Sequence, residues 1–178
     1  VPKITTISTL TYSSIVCQTQ KDTVIRISNT GPDTLVISSA KITGANASDF
    51  SFASPFTKMK IKPNGVDSIH IVFMPSSVGN KTATIILKSN AFNVIDSITS
   101  IILLGNKEDI KFSLSQDSLL FHGNIPEIRT ITITNDGTYP LNWSVPIDIG
   151  VFRIINIEPL TTSQNGGKSV VTINYSGG

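Results

Sequence analysis

The stretch that decides the fold is VIRISNTGPDTLVI, residues 24–37, and a near copy of it, TITITNDGTYPLNW, stands at residues 130–143. Both copies begin with apolar residues that alternate with polar ones, which is typical of a strand with one buried face. Both then carry an Asn-x-Gly turn, because Asn hydrogen-bonds its own backbone and Gly tolerates a positive φ. The alternation resumes after the turn, so each copy predicts a β-hairpin with a loop longer than two residues.

The two copies belong to a longer internal repeat. PNGVDSIHIVF, residues 63–73, resembles QNGGKSVVTINY, residues 164–175, at an offset of 102, whereas the first pair of copies is offset by 106. One small length change in a loop reconciles the two offsets. A collinear repeat of this length predicts tandem domains. We place them at residues 1–106 and 107–178, with a polar linker in GNKED, residues 105–109.

Composition favours an all-β protein. Only 15% of the 178 residues are charged, and Ile, Val and Thr, which fit a pleated and half-buried surface, are abundant. Residues 66–73 alternate with Ile69, Ile71 and Phe73 inward, and residues 82–88 alternate in the same way. The continuously apolar residues 101–104 leave the facing of a final strand, 94–104, ambiguous. Short strands separated by turns predict antiparallel β-sandwiches.

The second repeat is shorter than the first. Its match ends near Tyr175, whereas the first repeat continues through the strands predicted at 82–88 and 94–104. A sandwich without these strands has an open edge and an uncovered core. Three interpretations remain: a fragment of a longer protein, strand addition from a partner at the open edge of the second domain, and a smaller fold.

The residues that carry the repeat resemble a known group of domains. ISNTGPDTLVISSAKITGANASDFSF, residues 27–52, together with the F-x-P of Phe73 and Pro75 and with Gly79, resembles the immunoglobulin-like repeats called choice-of-anchor D in secreted bacterial proteins. Those repeats are similar to the ASH and Hydin-type domains of cilia and centrosomes, and more remotely to the major sperm protein fold. NDGTYPLNW, residues 135–143, is also similar to BACON modules. The second repeat lacks the F-x-P proline, because Gly177 stands there.

The resemblance implies two tandem immunoglobulin-like sandwiches, the second lacking its last strands as written. It also implies a non-enzymatic spacer, adhesion or scaffolding module, since such families carry no catalytic residues to transfer. We therefore expect an exported bacterial protein that acts outside the cell or at its surface. Two alternatives are a carbohydrate-binding module and an intracellular ciliary or centrosomal scaffold.

The residue types that carry chemistry are sparse, and we expect no catalytic, cofactor or metal site. Cys17 is the single cysteine, and the sequence favours a small buried thiol over a catalytic or metal-bound one. His70 falls on the outward phase of a strand, and His122 follows LLF and lies at the end of another, so we interpret both as strand residues rather than as members of a nucleophile–His–acid set. Loop carboxylates that would serve an interdomain Ca²⁺ clamp are more typical of turns; they are Asp33, Asp49, Asp136 and Asp148.

Surface recognition would use exposed aromatic side chains. Trp143 takes the inward phase of Ile37, so we interpret it as a core residue rather than a sugar platform. Tyr12 and Tyr139 lie near predicted turns and are the candidates for surface recognition.

The expected partner is a protein or a surface polysaccharide. Lys58, Lys60 and Lys62 form the only close basic cluster, which is too sparse for a nucleic-acid face. We also expect no membrane insertion, because the longest apolar run, residues 101–104, is far too short to span a bilayer.

Overall fold

A computed structural model describes residues 1–144 and 148–177. These residues form strands joined by turns and by two short 3₁₀ segments, Ala47–Asp49 and Ile95–Ser97, and none of the helices among them has the length and apolar character needed to cross a membrane. The chain divides into two compact units, Val1–Lys107 (unit 1) and Glu108–Gly178 (unit 2). The all-β, immunoglobulin-like sandwich class predicted from the sequence is confirmed.

Unit 1 is a sandwich of two sheets. Its strands are β1 (Ile4–Thr5), β2 (Thr9–Thr11), β3 (Lys21–Asn29), β4 (Leu35–Thr43), β5 (Phe50–Phe52), β6 (Met59–Ile61), β7 (Val66–Phe73), β8 (Gly79–Ser89) and β9 (Ile98–Lys107). One sheet has the order β1-β3-β7-β5, and the other has the order β2-β9-β8-β4-β6. All pairings are antiparallel except β2 with β9, which is parallel.

The core of unit 1 lies between the two sheets and is built by side chains that alternate along each strand. Ile69, Ile71 and Phe73 of β7 are buried, as the sequence predicts. The facing of β9 is settled by its pairing with β8, which turns Ile101 and Leu103 inward and leaves Ile102 between them 45% exposed. Each fully buried aliphatic side chain contributes about 1.5–3 kcal/mol to the stability of the sandwich.

The hairpin predicted at residues 24–37 is wrong. β3 pairs with β1 and β7 in one sheet, whereas β4 pairs with β6 and β8 in the other. The Asn-Gly turn therefore carries the chain across the sandwich from one sheet to the other. Alternation alone does not distinguish these cases, because a strand facing a core has the same pattern whichever sheet it joins.

Unit 2 has one large sheet and one small one. Its strands are β10 (Phe112–Leu114), β11 (Glu127–Asn135), β12 (Leu141–Asn142), β13 (Asp148–Ile149), β14 (Phe152–Glu158), β15 (Thr161–Thr162) and β16 (Lys168–Tyr175). The large sheet has the order β10-β11-β16-β14-β13, and β12 pairs only with β15.

The large sheet of unit 2 has the same strand registers as the first sheet of unit 1. Ile25 of β3 pairs with Ile69 of β7, and their repeat equivalents Ile131 and Val171 pair in β11 and β16. The equivalence extends to β14, where Phe152 pairs with Tyr175 as Phe50 pairs with Phe73. β12 and β15 correspond to β4 and β6, so no strand among the described residues of unit 2 corresponds to β8 or β9.

The linker predicted at residues 105–109 is partly wrong. Residues 105–107 are the end of β9 and pair with β8, where Gly79 faces Lys107. The polar composition that indicated a linker is instead that of a strand end, where side chains reach solvent.

Candidate functional site

The main candidate site is a sheet face of unit 2, which we call the open face. It consists of the inward side chains of β11, β14 and β16, namely Ile131, Ile133, Phe152, Ile154, Ile173 and Tyr175. Their equivalents in unit 1 lie under β8 and β9, and Ile25, Ile27, Ile71 and Phe73 there are fully buried. On the open face, Ile131, Ile173 and Tyr175 are only half-buried, whereas Ile133 and the neighbouring inward residue Val171 are buried.

Phe152 gives the clearest comparison. It is 36% exposed, whereas its equivalent Phe50 is 4% exposed. Both side chains stack on the aromatic residue at the end of the neighbouring strand, since Phe152 lies 5.2 Å from Tyr175 and Phe50 lies 4.9 Å from Phe73 between ring centroids. The local packing is therefore preserved, and what differs is the cover that β8 and β9 provide.

A third aromatic ring completes the cluster in each unit. Tyr12 packs on Phe73 at 5.2 Å, and Phe121 packs on Tyr175 at 5.4 Å. This equivalence was not predicted, because the similarity that aligns the two repeats begins at residue 24. The signal was present in LTY, residues 10–12, and LLF, residues 119–121. Phe121 partly covers the end of the open face nearest Tyr175.

The ring of Phe73 also explains a glycine of β9. A Cβ placed on Gly105 would lie 2.6 Å from Cε1 of Phe73, closer than real side chains approach. The φ of Gly105 is not positive, so this glycine makes room for the ring rather than permitting a turn. In unit 2, the hydroxyl of Tyr175 donates a hydrogen bond to the carbonyl oxygen of Gly123 at 2.8 Å, which holds the equivalent ring in place.

A cavity of about 670 Å³ runs beside β14. Its lining includes Trp143 and Leu160 together with Arg153, Ile154 and Asn156 of β14. Trp143 is half-buried and packs edge-on against Phe112 at 5.6 Å, so its interpretation as a core residue holds in part. Its indole Nε1 is buried and has no hydrogen-bond acceptor among the residues that the structure describes.

The two tyrosines chosen as surface candidates have different environments. The expected exposure of Tyr12 is wrong, because its side chain is 4% exposed and its hydroxyl donates a 2.7 Å hydrogen bond to the carbonyl oxygen of Ile71. Burial raises the pKa of this phenol to about 12. Tyr12 lies next to a turn, but it points into the aromatic cluster. Tyr139 is 40% exposed, and its role in recognition stays a prediction.

The residues considered for chemistry lie apart from one another. His70 is exposed on β7, as predicted, whereas Cys17 is exposed rather than buried. His122 lies 3.3 Å from Glu127, and the hydrogen bond that Arg129 donates to Glu127 lowers the pKa of that carboxyl group. Within residues 1–144 and 148–177, no three His, Cys, Asp or Glu side chains are grouped as metal ligands.

One of the loop aspartates proves to be a structural residue. Asp49 is buried and accepts hydrogen bonds from the backbone amide and hydroxyl of Ser76 at 2.9 and 2.8 Å. Lys81 lies 3.9 Å from its other oxygen and is itself buried. This pair fixes the turn before β8, so Asp49 has no free oxygen directed to solvent for a cation.

No family model and no curated protein matches this chain. Among solved structures, it is similar to a protein of unknown function from Porphyromonas gingivalis W83, with 14% identity and a TM-score of 0.44 over 98% of this chain and 82% of that chain. It is also similar to the ASH/PapD-like domain 7 of human CEP192, with 11% identity and a TM-score of 0.47 over 61% of this chain and 87% of that one. The periplasmic chaperone SfaE gives 14% identity and a TM-score of 0.45 over 98% of this chain and 88% of that one.

Proposed function

We propose that this chain is a non-enzymatic protein-interaction module in which unit 1 serves as a closed scaffold and unit 2 binds a protein through its open face. The observation that carries the proposal is the difference between equivalent residues of the two units. Side chains that unit 1 buries completely, such as Ile71 and Phe73, correspond in unit 2 to side chains that remain in contact with solvent.

The open face presents apolar side chains that the described residues of unit 2 leave partly in contact with solvent. Contiguous exposed apolar surface marks interaction sites, and free strand edges offer unpaired N–H and C=O groups to a further strand. β12 has such an edge, because it pairs only with β15 among the described strands. A single protein partner that covers the open face and pairs with β12 would satisfy both.

Photo-crosslinking in cells that produce the protein tests the proposal. A benzophenone side chain in place of Phe152 reports on the open face, and the same group in place of Val66, which is 61% exposed on unit 1, serves as the matched control. We expect irradiation to give a discrete protein adduct from position 152 and none from position 66. Equal adduct yields at both positions, or no adduct at position 152, would contradict the proposal.

A second candidate function is carbohydrate binding, and the cavity beside Trp143 favours it. Trp143, Arg153 and Asn156 all line this cavity, which therefore combines an aromatic residue with residues that carry hydrogen-bond donors. A pull-down on insoluble polysaccharides, comparing the wild type with Trp143→Ala, tests this function. Retention of the wild type on a polysaccharide, with no retention of the variant, would support carbohydrate binding. Failure of the wild type to bind any polymer would rule it out.

We also propose that the module acts at a bacterial cell surface. The resemblance to choice-of-anchor D repeats and the low content of charged residues, 15%, support this location. Fractionation of producing cells, with protease added to intact cells, tests it. Recovery in the cytoplasm of a ciliated cell would favour the scaffold alternative instead.

A further inference from the structure

We infer that unit 1 binds an extended peptide along the free edge of β7, and that the peptide carries a large apolar residue with an arginine two positions after it. The site is a cavity of about 460 Å³, which we call the edge cleft, and it is lined by residues 53–57, Met59 and residues 67–70. Its volume falls in the range of about 300–1,000 Å³ that is common for ligand pockets. The inference goes beyond the proposed function and does not rest on the open face of unit 2.

The edge of β7 is free because β5 is short. β5 pairs with β7 only at Phe50–Phe52, and one further hydrogen bond joins the amide of Ala53 to the carbonyl oxygen of His70 at 3.0 Å. The chain then leaves the edge, where Pro55 has no N–H group to continue the ladder. Residues 66–69 of β7 therefore have a strand partner on the β3 side only.

The register of β7 shows which backbone groups reach this edge. In an antiparallel pair, every second residue exchanges hydrogen bonds with its partner strand. The carbonyl oxygen of Gly65, just before β7, accepts from the amide of Asn29 at 3.0 Å, so the odd-numbered residues of β7 bond to β3. The even-numbered residues face the other side, and the hydrogen bond between Ala53 and His70 agrees with this phase. Ser68 thus directs its backbone N–H and C=O groups to the edge cleft.

Asp67 makes this edge rich in acceptors. Its Oδ1 accepts a 2.8 Å hydrogen bond from the amide of Ser68, whereas the carbonyl oxygen of Ser68 has no partner among residues 1–144 and 148–177. Asp67 is exposed, and among the described residues that line the cleft no other Asp, Glu, Lys or Arg occurs. A surface of acceptors with a negative charge is complementary to a ligand that supplies N–H donors and a positive charge.

The apolar part of the cleft selects a side chain. Ile69 is 7% exposed, and Phe56 and Met59 are partly buried against the core of unit 1. A strand that runs antiparallel to β7, as β3 and β5 do, places alternate side chains on the same face. The residue opposite Ile69 then meets the apolar part, and the residue two positions later lies opposite Asp67. A large apolar side chain followed by arginine matches these two positions.

The arginine and the backbone pairing are coupled through Asp67. A guanidinium group binds both oxygens of a carboxylate, so it competes with the amide of Ser68 for Oδ1. The released amide can then donate to the carbonyl oxygen of the middle residue of the peptide, whose own N–H group donates to the carbonyl oxygen of Ser68. A peptide without the arginine would leave the edge half-occupied by Asp67 and would bind more weakly.

An acetylated and amidated peptide, Thr-Leu-Thr-Arg-Thr, serves as the probe and is titrated into the intact, ¹⁵N-labelled chain. We expect saturable shifts of amide resonances centred on Ser68 and Ile69. A peptide with Gln in place of Arg should bind at least about tenfold more weakly, and so should a peptide N-methylated at its middle threonine. The side chain of Val66 falls on the outward phase of β7 and does not line the cleft, so the crosslinking control at position 66 stays valid.

Two variants of the protein test the role of the carboxylate. Asp67→Ala frees the amide of Ser68, so this variant should bind the Arg and Gln peptides equally well. Asp22→Ala, at an exposed aspartate of β3, is the matched control and should keep the tenfold preference for arginine. Both aspartates are exposed, so we expect both variants to fold.

Three results would overturn the inference. They are the lack of saturable shifts around Ser68 up to about 1 mM peptide, equal binding of the N-methylated peptide, and a preference for arginine that persists in Asp67→Ala. Each concerns unit 1 alone. Crosslinking from position 152 stays a separate test, so either the edge cleft or the proposed function can fail while the other stands.

Discussion

Asn29 and Asn135 make the same contacts at the same point of the two units. The side-chain oxygen of each accepts a hydrogen bond from the amide of the glycine two residues later, at 3.0 Å in both cases. The side-chain nitrogen of each donates to the carbonyl oxygen four residues later, at 2.8 Å. Asn29 also donates to the carbonyl oxygen of Ile61 at 3.0 Å. It therefore joins the sheet that contains β3 to the sheet that contains β6.

Asn29→Ala is expected to destabilise unit 1 by about 2–3 kcal/mol, because it leaves the amide of Gly31 and two carbonyl groups without their partner in a buried place. Asn80→Ala is the control, since Asn80 is exposed, and it should change stability by less than about 0.5 kcal/mol. Urea unfolding followed by circular dichroism measures both. Equal midpoints for the two variants would contradict the bridging role of Asn29.

The buried pair of Asp49 and Lys81 gives a second prediction. Asp49→Ala is expected to cost about 3 kcal/mol, because it leaves the ammonium group of Lys81 buried with only the hydroxyl of Ser77, 2.8 Å away. Asp49→Asn keeps an acceptor for Ser76 and should cost less. Thermal unfolding compares these variants with Asp67→Ala, at an exposed aspartate. If Asp49→Asn lowers the unfolding temperature as much as Asp49→Ala does, the negative charge of Asp49, and not its hydrogen bonding to Ser76, stabilises the turn.

Gly105→Ala tests the contact between β9 and the aromatic cluster. The new methyl group would collide with Phe73, so we expect a loss of about 1–3 kcal/mol. The double variant Phe73→Leu with Gly105→Ala should lose less than the sum of the two single changes, because the smaller side chain leaves room for the methyl group. Strict additivity in the denaturation midpoints would mean that the two residues do not share this space.

Ionisation of the Tyr12 phenol is expected to lower the stability of the folded chain in alkaline solution. Burial raises the pKa of its phenol from 10.0 to about 12 in the folded chain. Because the folded-state pKa lies above the unfolded one, the stabilisation is complete below about pH 10 and is lost as the pH rises toward 12. Tyr12→Phe lacks the hydrogen bond to Ile71 and should be about 1 kcal/mol less stable at neutral pH. The difference in free energy of unfolding between the two proteins should shrink above pH 10, and a constant difference would contradict this account.

Much of the fold was predictable from local patterns. Alternation placed Ile69, Ile71 and Phe73 in the core, and the repeat offsets aligned β3 with β11 and β7 with β16, whose registers agree residue by residue. These features depend on residues near one another in the sequence or on direct similarity between the copies. Local alternation and similarity between the repeats are both visible in the sequence, so the features that depend on them can be predicted.

Long-range pairing was not predictable in the same way. The sequence of residues 24–37 does not indicate that β3 and β4 join different sheets. The residues around Tyr12 do not indicate that a ring beside a turn enters the core. Cys17 was expected inside because thiols are commonly buried, but it lies in a surface connection before β3. The open face itself followed from the shorter second repeat, whereas the match of Phe121 to Tyr12 required the ring contacts.

The parallel pairing of β2 with β9 has a consequence for how unit 1 is made. Thr9 pairs with Ile102, and Ile15 forms a bridge with Lys107. Contacts between residues so distant in the chain close large loops and slow folding. On the ribosome, β2 emerges early and then has no partner in its sheet until residues 98–107 have followed. Unit 1 is thus completed in a late step, and synthesis interrupted before β9 would leave β2 and one edge of β8 unpaired.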